Sequence, residues 1–410
     1  MTERYEVAVV GAGLAGACAA ALLVRHAGIA AGSIALLGAQ LPAAADAAGP
    51  GAPLELRVAA ISRAGERVLR AAGAWQRLDA ARLCPYERMR VWHQSARLDS
   101  AAGLCFEAAD LGEPNLGHIA EIGALQRACI DSFHDAGGTL IHARLERLAI
   151  SEHWARLECA GAAFESRVVV GADGVQSIVR TGAGLAVRSR DYRQLAVVAT
   201  IETARAHEHT AWQRFLSSGP LALLPLSDGR CSIVWSLDQG EAQVVRECAE
   251  GEFNARLDIA SAHALGATRL VSERLSFPLH SVAARAYVAE RCALIGDAAH
   301  VIHPLAGQGA NLGLLDAAAL CEAIALAPGL REDPGAVRIL RRYEQQRRTT
   351  NLAMDAAMSM FQTGFAVTAG PAAWLVNAGL ALVNRSHAVK RAFARQALGT
   401  AGELPRLARG

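Results

Sequence analysis

Apolar runs of strand length recur along the chain, and those at 6–10, 167–170 and 292–295 each end directly in glycine. An apolar run of this length bounded by glycine is typical of a buried strand. The first and last runs are followed by Ala-rich and Leu-rich stretches with helical spacing, at 17–25 and 312–320. This repeated order of strand, glycine turn and helix predicts an α/β fold of Rossmann-like type.

The turn after the first strand reads GAGLAG, a G-x-G-x-x-G pattern between a strand and a helix. In that context Gly11 makes a tight turn, Gly13 lets a pyrophosphate approach the backbone, and Gly16 lets helix and strand pack closely. The pattern therefore predicts dinucleotide binding by these three glycines. The alternative interpretation is an ordinary glycine-rich turn.

A second strand, Ser33 to Leu37, ends at Gly38, where dinucleotide-binding proteins carry an acidic residue for a ribose hydroxyl. The missing acid predicts loose dinucleotide binding and predicts that Gly38→Glu tightens it. Residues 42–53 predict a surface loop. After that loop, Ser62 fits the N-cap of a helix, and Arg57 is a candidate phosphate contact, with an uncommitted surface arginine as the alternative.

Three polar side chains in the middle of the chain are further candidates for contact with a cofactor. Gln126 lies one turn inside a helix predicted from about Ile122, although an uncommitted helix glutamine fits equally well. Asp173 follows the strand that ends at 170, and a helix predicted from Val175 to Val179 closes with Arg180. A carboxylate on a glycine turn with an arginine a few residues later suits the phosphate and ribose of a second dinucleotide. A plain Asp-Gly turn is the alternative interpretation for Asp173.

The periodicity changes between Gln194 and Phe277. Asp228-Gly229 is a hairpin signal, and 241–265 is predicted to be one or two helices. Strand patterns occur at Leu195–Ile201, Trp212–Leu216, Leu221–Leu226 and Cys231–Leu237. This pattern predicts an antiparallel sheet, inserted as a substrate domain into a first domain that is therefore discontinuous.

The third glycine turn places Asp297 at the edge of the predicted sheet and is followed by a Gly-rich segment and a helix. Such a segment offers free backbone N–H groups and the positive end of a helix dipole to an anion or an electron-rich ring. His300 and His303 have H-x-x-H spacing, but the sequence suggests no third or fourth ligand, so it predicts no metal site.

Composition narrows the function classes. The 410 residues include 41 Lys and Arg against 39 Asp and Glu, which implies neither a nucleic-acid partner nor a strongly acidic one. The nine cysteines form no C-x-x-C pair and indicate reduced core thiols of a cytoplasmic protein. A strand pattern that begins by Tyr5 leaves no length for a signal peptide before it.

Together the three motifs, GAGLAG at 11–16, GADG at 171–174, and GD at 296–297 followed by HPLAGQGANLG at 303–313, resemble the p-hydroxybenzoate hydroxylase class of flavin monooxygenases. Within that class the chain is similar to the FAD-dependent hydroxylases of ubiquinone biosynthesis. The segments that carry this second resemblance are LRVAAI at 56–61, LGHI at 116–119, PLS at 225–227, CSIVWSL at 231–237 and HPLAGQG at 303–309. The similarity extends to about Gly399.

The resemblance implies FAD as cofactor and NAD(P)H as reductant. It implies that the pyrophosphate lies on Gly11, Gly13 and Gly16, that Arg57 and Gln126 touch FAD, that Asp297 binds the ribitol, and that Asp173 and Arg180 serve cofactor and NAD(P)H recognition. It also implies that Gly307, Gly309, Ala310 and Asn311 line the isoalloxazine, and that Pro304 and Gly307 face the reacting ring. Gly38 and Ile122 depart from the family pattern, because many relatives have an acid and an Asn there.

The resemblance also divides the chain into domains. It implies an FAD-binding domain at 1–82, 116–182 and 278–330, a substrate domain at 83–115 and 183–277, and a C-terminal helical region at 331–410. In that last region Arg338 to Arg348 predicts a solvated basic helix rather than a membrane or partner patch. The stretch between Asp355 and Arg385 is free of charge and long enough to span a bilayer. Because Gly and Pro interrupt it, buried helices or an amphipathic surface that admits a prenyl tail fit better.

The implied activity is hydroxylation of a polyprenylated phenol by O₂ through a flavin hydroperoxide, in a pocket that excludes water. The alternatives are hydroxylation of another aromatic such as a polyketide, or a weak-FAD paralogue that acts as a scaffold. The expected partners are a hydrophobic prenylated phenol and O₂, without nucleic acid. Peripheral contact with the inner face of the membrane, a biosynthetic complex and a homo-oligomer stay open.

Overall fold

The fold was analysed in a computed structural model that describes residues 3–41, 52–98, 100, 103–302, 309–330, 332–365 and 403–409. Among these residues the strands are β1 (Glu3–Val10), β2 (Ile34–Gly38), β3 (Val58–Ser62), β4 (Cys84–Tyr86), β5 (Arg88–His93), β6 (Leu104–Glu107), β7 (Gly117–Glu121), β8 (Thr139–His142), β9 (Leu145–Ile150), β10 (Ala155–Cys159), β11 (Ala162–Gly171), β12 (Val187–Thr203), β13 (Thr210–Leu216), β14 (Gly219–Pro225), β15 (Cys231–Asp238), β16 (Thr268–Leu270), β17 (Leu275–Ala284), β18 (Val288–Ala289), β19 (Cys292–Leu294) and β20 (His300–Val301). The helices are α1 (Leu14–His26), α2 (Arg63–Ala71), α3 (Ile122–Asp135), α4 (Ile178–Gly182), α5 (Gln239–Glu247), α6 (Glu250–Ala260), α7 (Gly309–Leu330) and α8 (Val337–Phe365).

The main sheet has the order β18-β19-β11-β1-β2-β8, with β10 and β9 added beside β11. Strands β19, β11, β1, β2 and β8 run parallel to one another, whereas β18 and β10 pair antiparallel with β19 and β11. The last four residues of β1 and of β11, and all of β2 and β19, are apolar and buried, as expected for a sheet that helices cover. Helix α1 packs against both α3 and α7. The predicted parallel α/β unit is confirmed.

A second sheet of antiparallel character has the order β20-β17-β12-β15-β14-β13-β5-β6, with β16 paired to β12. Helices α5 and α6 cover one of its faces and form a separate core with it. The predicted hairpin between β14 and β15 is present, with Gly229 at φ +86°. A small third sheet, β3-β7-β4, contacts the second sheet through a shared apolar cluster. The predicted combination of a parallel cofactor sheet and an antiparallel substrate sheet is confirmed.

Several local expectations are met and one is wrong. Ser62 caps α2, since its hydroxyl accepts a hydrogen bond from the backbone N–H of Gly65 at 3.2 Å. Helix α3 begins at Ile122 as predicted, and 241–265 holds two helices. By contrast, the segment predicted as helical from Val175 becomes helical only at residue 178, because Ser177 is the N-cap and its hydroxyl accepts from the N–H of Arg180.

Helices α7 and α8 differ in how much of their surface reaches solvent. The apolar segment Gly309–Ala327 of α7 is long enough to cross a membrane, but 78% of its most apolar window is buried inside the protein. In α8 the side chains of Arg338, Arg341 and Arg342 are exposed, as predicted for a solvated basic face. Arg347 is an exception, because it is 1% exposed and pairs with a buried carboxylate.

Some predictions fall outside the described residues. These are the loop at 42–51, the two ring-facing residues Pro304 and Gly307, His303, and the apolar stretch beyond Phe365. The division of the chain into numbered domains remains a prediction. Strands β5 and β6 of the segment 83–115 do pair with the antiparallel sheet, whereas β4 belongs to the small third sheet.

Candidate functional site

The three glycine turns predicted to bind a dinucleotide follow three neighbouring strands of the main sheet. In that sheet β11 lies between β1 and β19 and is parallel to both, with Gly171 opposite Val10 and Leu294. The turns that follow these strands therefore leave the sheet at the same edge. The backbone N–H of Ala172 also donates to the carbonyl of Val10 at 2.8 Å. The fold brings the three motifs together.

Close backbone packing joins the first two turns. Gly11 has φ +106°, and a Cβ built on it would lie 2.3 Å from the carbonyl oxygen of Ala172. A Cβ built on Gly16 would lie 1.9 Å from the carbonyl oxygen of Gly11. Any larger side chain at either position would therefore collide with backbone atoms. These two glycines are required by the packing of the loop itself.

The third turn meets the first through Ala15. A Cβ built on Gly296, which has φ +56°, would lie 3.0 Å from the Cβ of Ala15. A Cβ built on Gly313 of α7 would lie at the same distance from that methyl group. Small residues thus let α1, α7 and the turn that carries Asp297 approach one another closely. Asp297 and the GAGLAG loop lie on the same side of the molecule.

The first turn fits the pyrophosphate of a dinucleotide. In contrast to its neighbours, Gly13 has no atom within 4 Å of a built Cβ, so the space beside it is open. Gly13 precedes α1, whose N-terminus has no side-chain cap and no acidic residue in its first turn. The N–H groups there are available to an anion, and the helix dipole favours negative charge. The side-chain amide of Gln126 donates to the carbonyl of Ala12 at 2.8 Å and supports the loop from α3.

Asp297 presents an exposed carboxylate beside these turns. Its side chain is exposed to solvent, yet protein atoms surround it closely enough for desolvation to raise the pKa of the carboxyl. His300, His280 and Arg57 oppose that increase through their electrostatic interaction with the carboxyl. The carboxylate is thus accessible to solvent and partly desolvated. Such a carboxylate is well placed to accept hydrogen bonds from sugar hydroxyls.

Asp173 and Arg180 make their hydrogen bonds within the protein. One oxygen of Asp173 accepts from the hydroxyl of Ser177, and the other accepts from the N–H groups of Ile178 and Val179 at 2.7 and 3.1 Å. Arg180 is buried and donates to the carbonyls of Ala298 and Val175. Arg180 therefore ties the second turn to the third. Direct contact of either residue with a dinucleotide remains a prediction.

Asn311 joins α7 to the small third sheet. Its amide nitrogen donates to the carbonyl of Ala60 at 2.8 Å, and its amide oxygen accepts from the N–H of Ser62 at 2.9 Å. Gly309 and Ala310 form the first turn of α7, which contains no acidic residue. The helix start predicted to face the flavin ring is thus held against β3. Contact of Gly309, Ala310 and Asn311 with the ring itself remains a prediction.

Arg57, directly before β3, contacts the antiparallel sheet. Its guanidinium lies over the ring of Phe277 in β17, 5.6 Å from the ring centroid. Phe277 is 38% exposed, which is unusual for a ring of that size in a folded protein. The contact is a cation–π pair between the segment that precedes β3 and strand β17. Sequence reasoning selected Arg57 for a phosphate contact but had no signal for Phe277.

The face of the antiparallel sheet that lies opposite α5 and α6 is mostly apolar. Alternate side chains from Cys231 to Leu237 pack toward those helices, which leaves Ser232 and Ser236 on the other face. Leu224, the cross-strand neighbour of Ser232, packs in the same apolar cluster as Ala60 of β3. Both serine hydroxyls are buried and have no hydrogen-bond partner within the described part of the chain. An apolar wall with few polar groups suits an aromatic substrate.

The position of Gly38 yields a prediction that reverses the one made from the sequence. A Cβ built on Gly38 would lie 2.8 Å from the Cβ of Ala12 and 2.8 Å from the side chain of Leu41. Gly38→Glu alone should therefore destabilise the protein by about 1–3 kcal/mol and weaken FAD binding. Combining it with Ala12→Gly should restore stability, because the less flexible of the two obstacles is removed. Thermal unfolding and FAD titration of both variants test this; tighter FAD binding by the single variant would support the original prediction instead.

Comparison with known proteins agrees with this geometry. Residues 155–357 match the family model described as an FAD binding domain. The chain is 32% identical to the 3-demethoxyubiquinol 3-hydroxylase of Escherichia coli, covering 97% of this chain and 99% of that protein. It is 34% identical to the ubiquinone hydroxylase UbiL of Rhodospirillum rubrum, covering 99% and 92%. Among solved structures, Pseudomonas aeruginosa PqsL in complex with 2-aminobenzoylacetate superimposes with a TM-score of 0.74 at 26% identity, covering 92% and 99%.

Proposed function

This chain belongs to the ubiquinone-biosynthesis family of FAD-dependent hydroxylases, and from that premise we propose that it hydroxylates a polyprenylated phenol, with NAD(P)H as reductant and O₂ as oxidant. One observation carries the proposal. Three glycine turns meet at one edge of the parallel sheet, beside the apolar face of an antiparallel sheet. A dinucleotide held by the turns would extend toward that face.

The residues of the chain bind and orient the reactants. Bound FAD supplies the hydride acceptance and the oxygen activation. The open N–H groups at Gly13 would hold the pyrophosphate, and Asp297 would accept hydrogen bonds from the ribitol. The N-terminus of α7, free of acidic residues, would favour negative charge on the reduced ring.

The proposed substrate site combines exclusion of water with a few polar groups. The apolar wall of the antiparallel sheet would keep water from the reacting atoms, which favours transfer of oxygen over release of peroxide. The hydroxyls of Ser232 and Ser236 are buried polar groups on that wall, and they would orient the oxygen substituents of the ring. An apolar prenyl tail prefers the lipid bilayer. We therefore propose a protein of the cytoplasm that meets its substrate at the inner face of the membrane.

The decisive experiment compares two phenols that differ only in the prenyl tail. Purified protein with FAD and NAD(P)H under ¹⁸O₂ should convert the tailed phenol to a product that carries one labelled oxygen, detected by mass spectrometry. The untailed phenol should instead give mostly hydrogen peroxide. Hydroxylation of an untailed aromatic alone would favour a hydroxylase for another aromatic. If the protein takes up no FAD, only the alternative function as a scaffold remains.

A further inference from the structure

A cluster of buried polar residues lies directly behind the turn that carries Asp297. We define the Asp316 cluster as Asp316 of α7, His300 of β20, and Arg347 and Asn351 of α8. These side chains are between 0% and 5% exposed, so none of them reaches solvent to any useful extent. A buried carboxylate is costly unless it is fully hydrogen-bonded. Its partners therefore indicate what the cluster holds in place.

The two carboxylate oxygens of Asp316 face different parts of the structure. Oδ2 accepts a hydrogen bond from Nε2 of His300 at 2.5 Å and from the N–H of Gly296 at 3.2 Å. Oδ1 accepts from Nε of Arg347 at 2.9 Å and from the amide of Asn351 at 3.2 Å. One oxygen thus binds the turn that carries Asp297, and the other binds side chains of α8. Asp316 connects the two.

The groups bound to Oδ2 are the two ends of the turn around Asp297. Gly296 immediately precedes Asp297 and has φ +56°, a conformation that favours glycine. His300 follows three residues after Asp297 and pairs with β17 through Ala283. His300 also stacks on Tyr287, with ring centroids 5.7 Å apart. Fixing both ends of so short a turn restricts the direction in which Asp297 points.

Electrostatics keeps Asp316 ionised. Burial alone raises the pKa of its carboxyl, but His300 and Arg347 outweigh burial and hold the pKa well below its usual range. The negative charge is therefore present at neutral pH, and the charge of Arg347 compensates it within the core. The buried position of Arg347 on an otherwise solvated basic helix is explained by this pairing.

We propose that Asp316 is a positioning residue for FAD, which acts through the turn Gly296–His300 to hold Asp297 in its binding orientation. Helix α8 is part of this device, because Arg347 and Asn351 fix the other side of the carboxylate. The inference rests on the FAD-binding part of the proposed function and requires nothing of the phenol substrate.

The test measures FAD affinity by quenching of flavin fluorescence, together with the thermal stability of the FAD-free protein. Asp316→Asn should weaken FAD binding roughly tenfold to a hundredfold, as expected when hydrogen bonds to a charged group are lost. Asp333→Asn is the matched control, since Asp333 pairs with buried Arg291 just before β19, at the end of that strand away from the turn. It should lower stability while leaving FAD affinity unchanged.

A double-mutant cycle with Asp297→Asn separates positioning from general destabilisation. If Asp316 acts through Asp297, then Asp316→Asn adds little further loss of affinity once Asp297 has been replaced. Equal losses of affinity in the two backgrounds would overturn the inference, as would unchanged affinity in Asp316→Asn. If Asp316→Asn does not fold, Arg347→Lys keeps the charge and disturbs the Oδ1 side of the cluster, where Arg347 donates to both Asp316 and Asn351. It should weaken FAD binding by a smaller factor, roughly threefold to tenfold. Unchanged affinity in this variant would overturn the inference, whereas FAD binding by the wild type would leave the proposed function intact.

Discussion

Gly13→Ala should leave the stability of the FAD-free protein unchanged and weaken FAD binding by roughly tenfold to a hundredfold. The added methyl group meets no protein atom within 4 Å, and φ −61° with ψ 173° is comfortable for alanine. The methyl group would, however, occupy the open space where the pyrophosphate is expected to approach the N-terminus of α1. The loss of affinity would therefore come from the cofactor alone.

Gly16→Ala is the contrasting variant for this prediction. Its Cβ would lie 1.9 Å from the carbonyl oxygen of Gly11, and backbone atoms cannot move aside as a side chain can. It should yield little folded protein, whereas Gly13→Ala should fold normally. Thermal unfolding without FAD and fluorescence titration with FAD give the two measurements. If Gly13→Ala binds FAD as the wild type does, the pyrophosphate does not lie on this turn.

Asp297→Asn should stabilise the FAD-free protein at neutral pH and weaken FAD binding by roughly tenfold to a hundredfold. Desolvation raises the pKa of the Asp297 carboxyl in the folded state above its ordinary value. The folded protein then holds the proton more tightly than the unfolded chain does, so ionisation at neutral pH costs stability. Asparagine removes that cost but cannot accept hydrogen bonds as a charged group. Such opposition between stability and function is common at binding sites.

The pH dependence of this stability gain tests whether the raised pKa of Asp297 is its cause. The stability gained by Asp297→Asn should shrink as the pH falls through the folded pKa, and it should vanish below the ordinary aspartate value of 3.8, where the carboxyl is protonated in both states. Asp333→Asn should change the stability with the opposite sign. Burial raises the pKa of the Asp333 carboxyl, but the hydrogen bonds from Arg291 and from the N–H of Gly335 outweigh burial and lower it. Its loss of stability should be present at neutral pH and disappear in acid. Urea unfolding of both variants across this range makes the comparison.

Much of the arrangement around the cofactor follows from local sequence. The GAGLAG pattern between β1 and α1 identifies a turn whose glycines are needed for close packing, and the structure shows that packing atom by atom at Gly11 and Gly16. The alternating pattern of β13 to β15 and the Asp228-Gly229 signal identify an antiparallel hairpin sheet. These features are local, since backbone dihedral angles and the face of a strand depend on neighbours in the chain.

Other features could not be found in this way. Asp316 is an acid in the mostly apolar pattern of α7, which also contains Glu322. A buried acid needs a compensating partner, but the pattern does not identify that partner. Its partner Arg347 lies 31 residues further along, within a run of arginines that looks uniformly solvated. The roles of Asp173 and Arg180 within their own turns were also hidden, because the same residues fit either a capping or a dinucleotide contact.

The sequence by itself determined the order of strands, glycine turns and helices, and through them the family of flavin hydroxylases to which the chain belongs. It did so because propensity, periodicity and the need for glycine are properties of short segments. Only the tertiary structure decided that Gly38 is crowded by Ala12 and that one buried carboxylate joins α8 to the turn of Asp297. Those contacts depend on how distant segments pack, and packing fixes which of several chemically suitable partners a side chain meets.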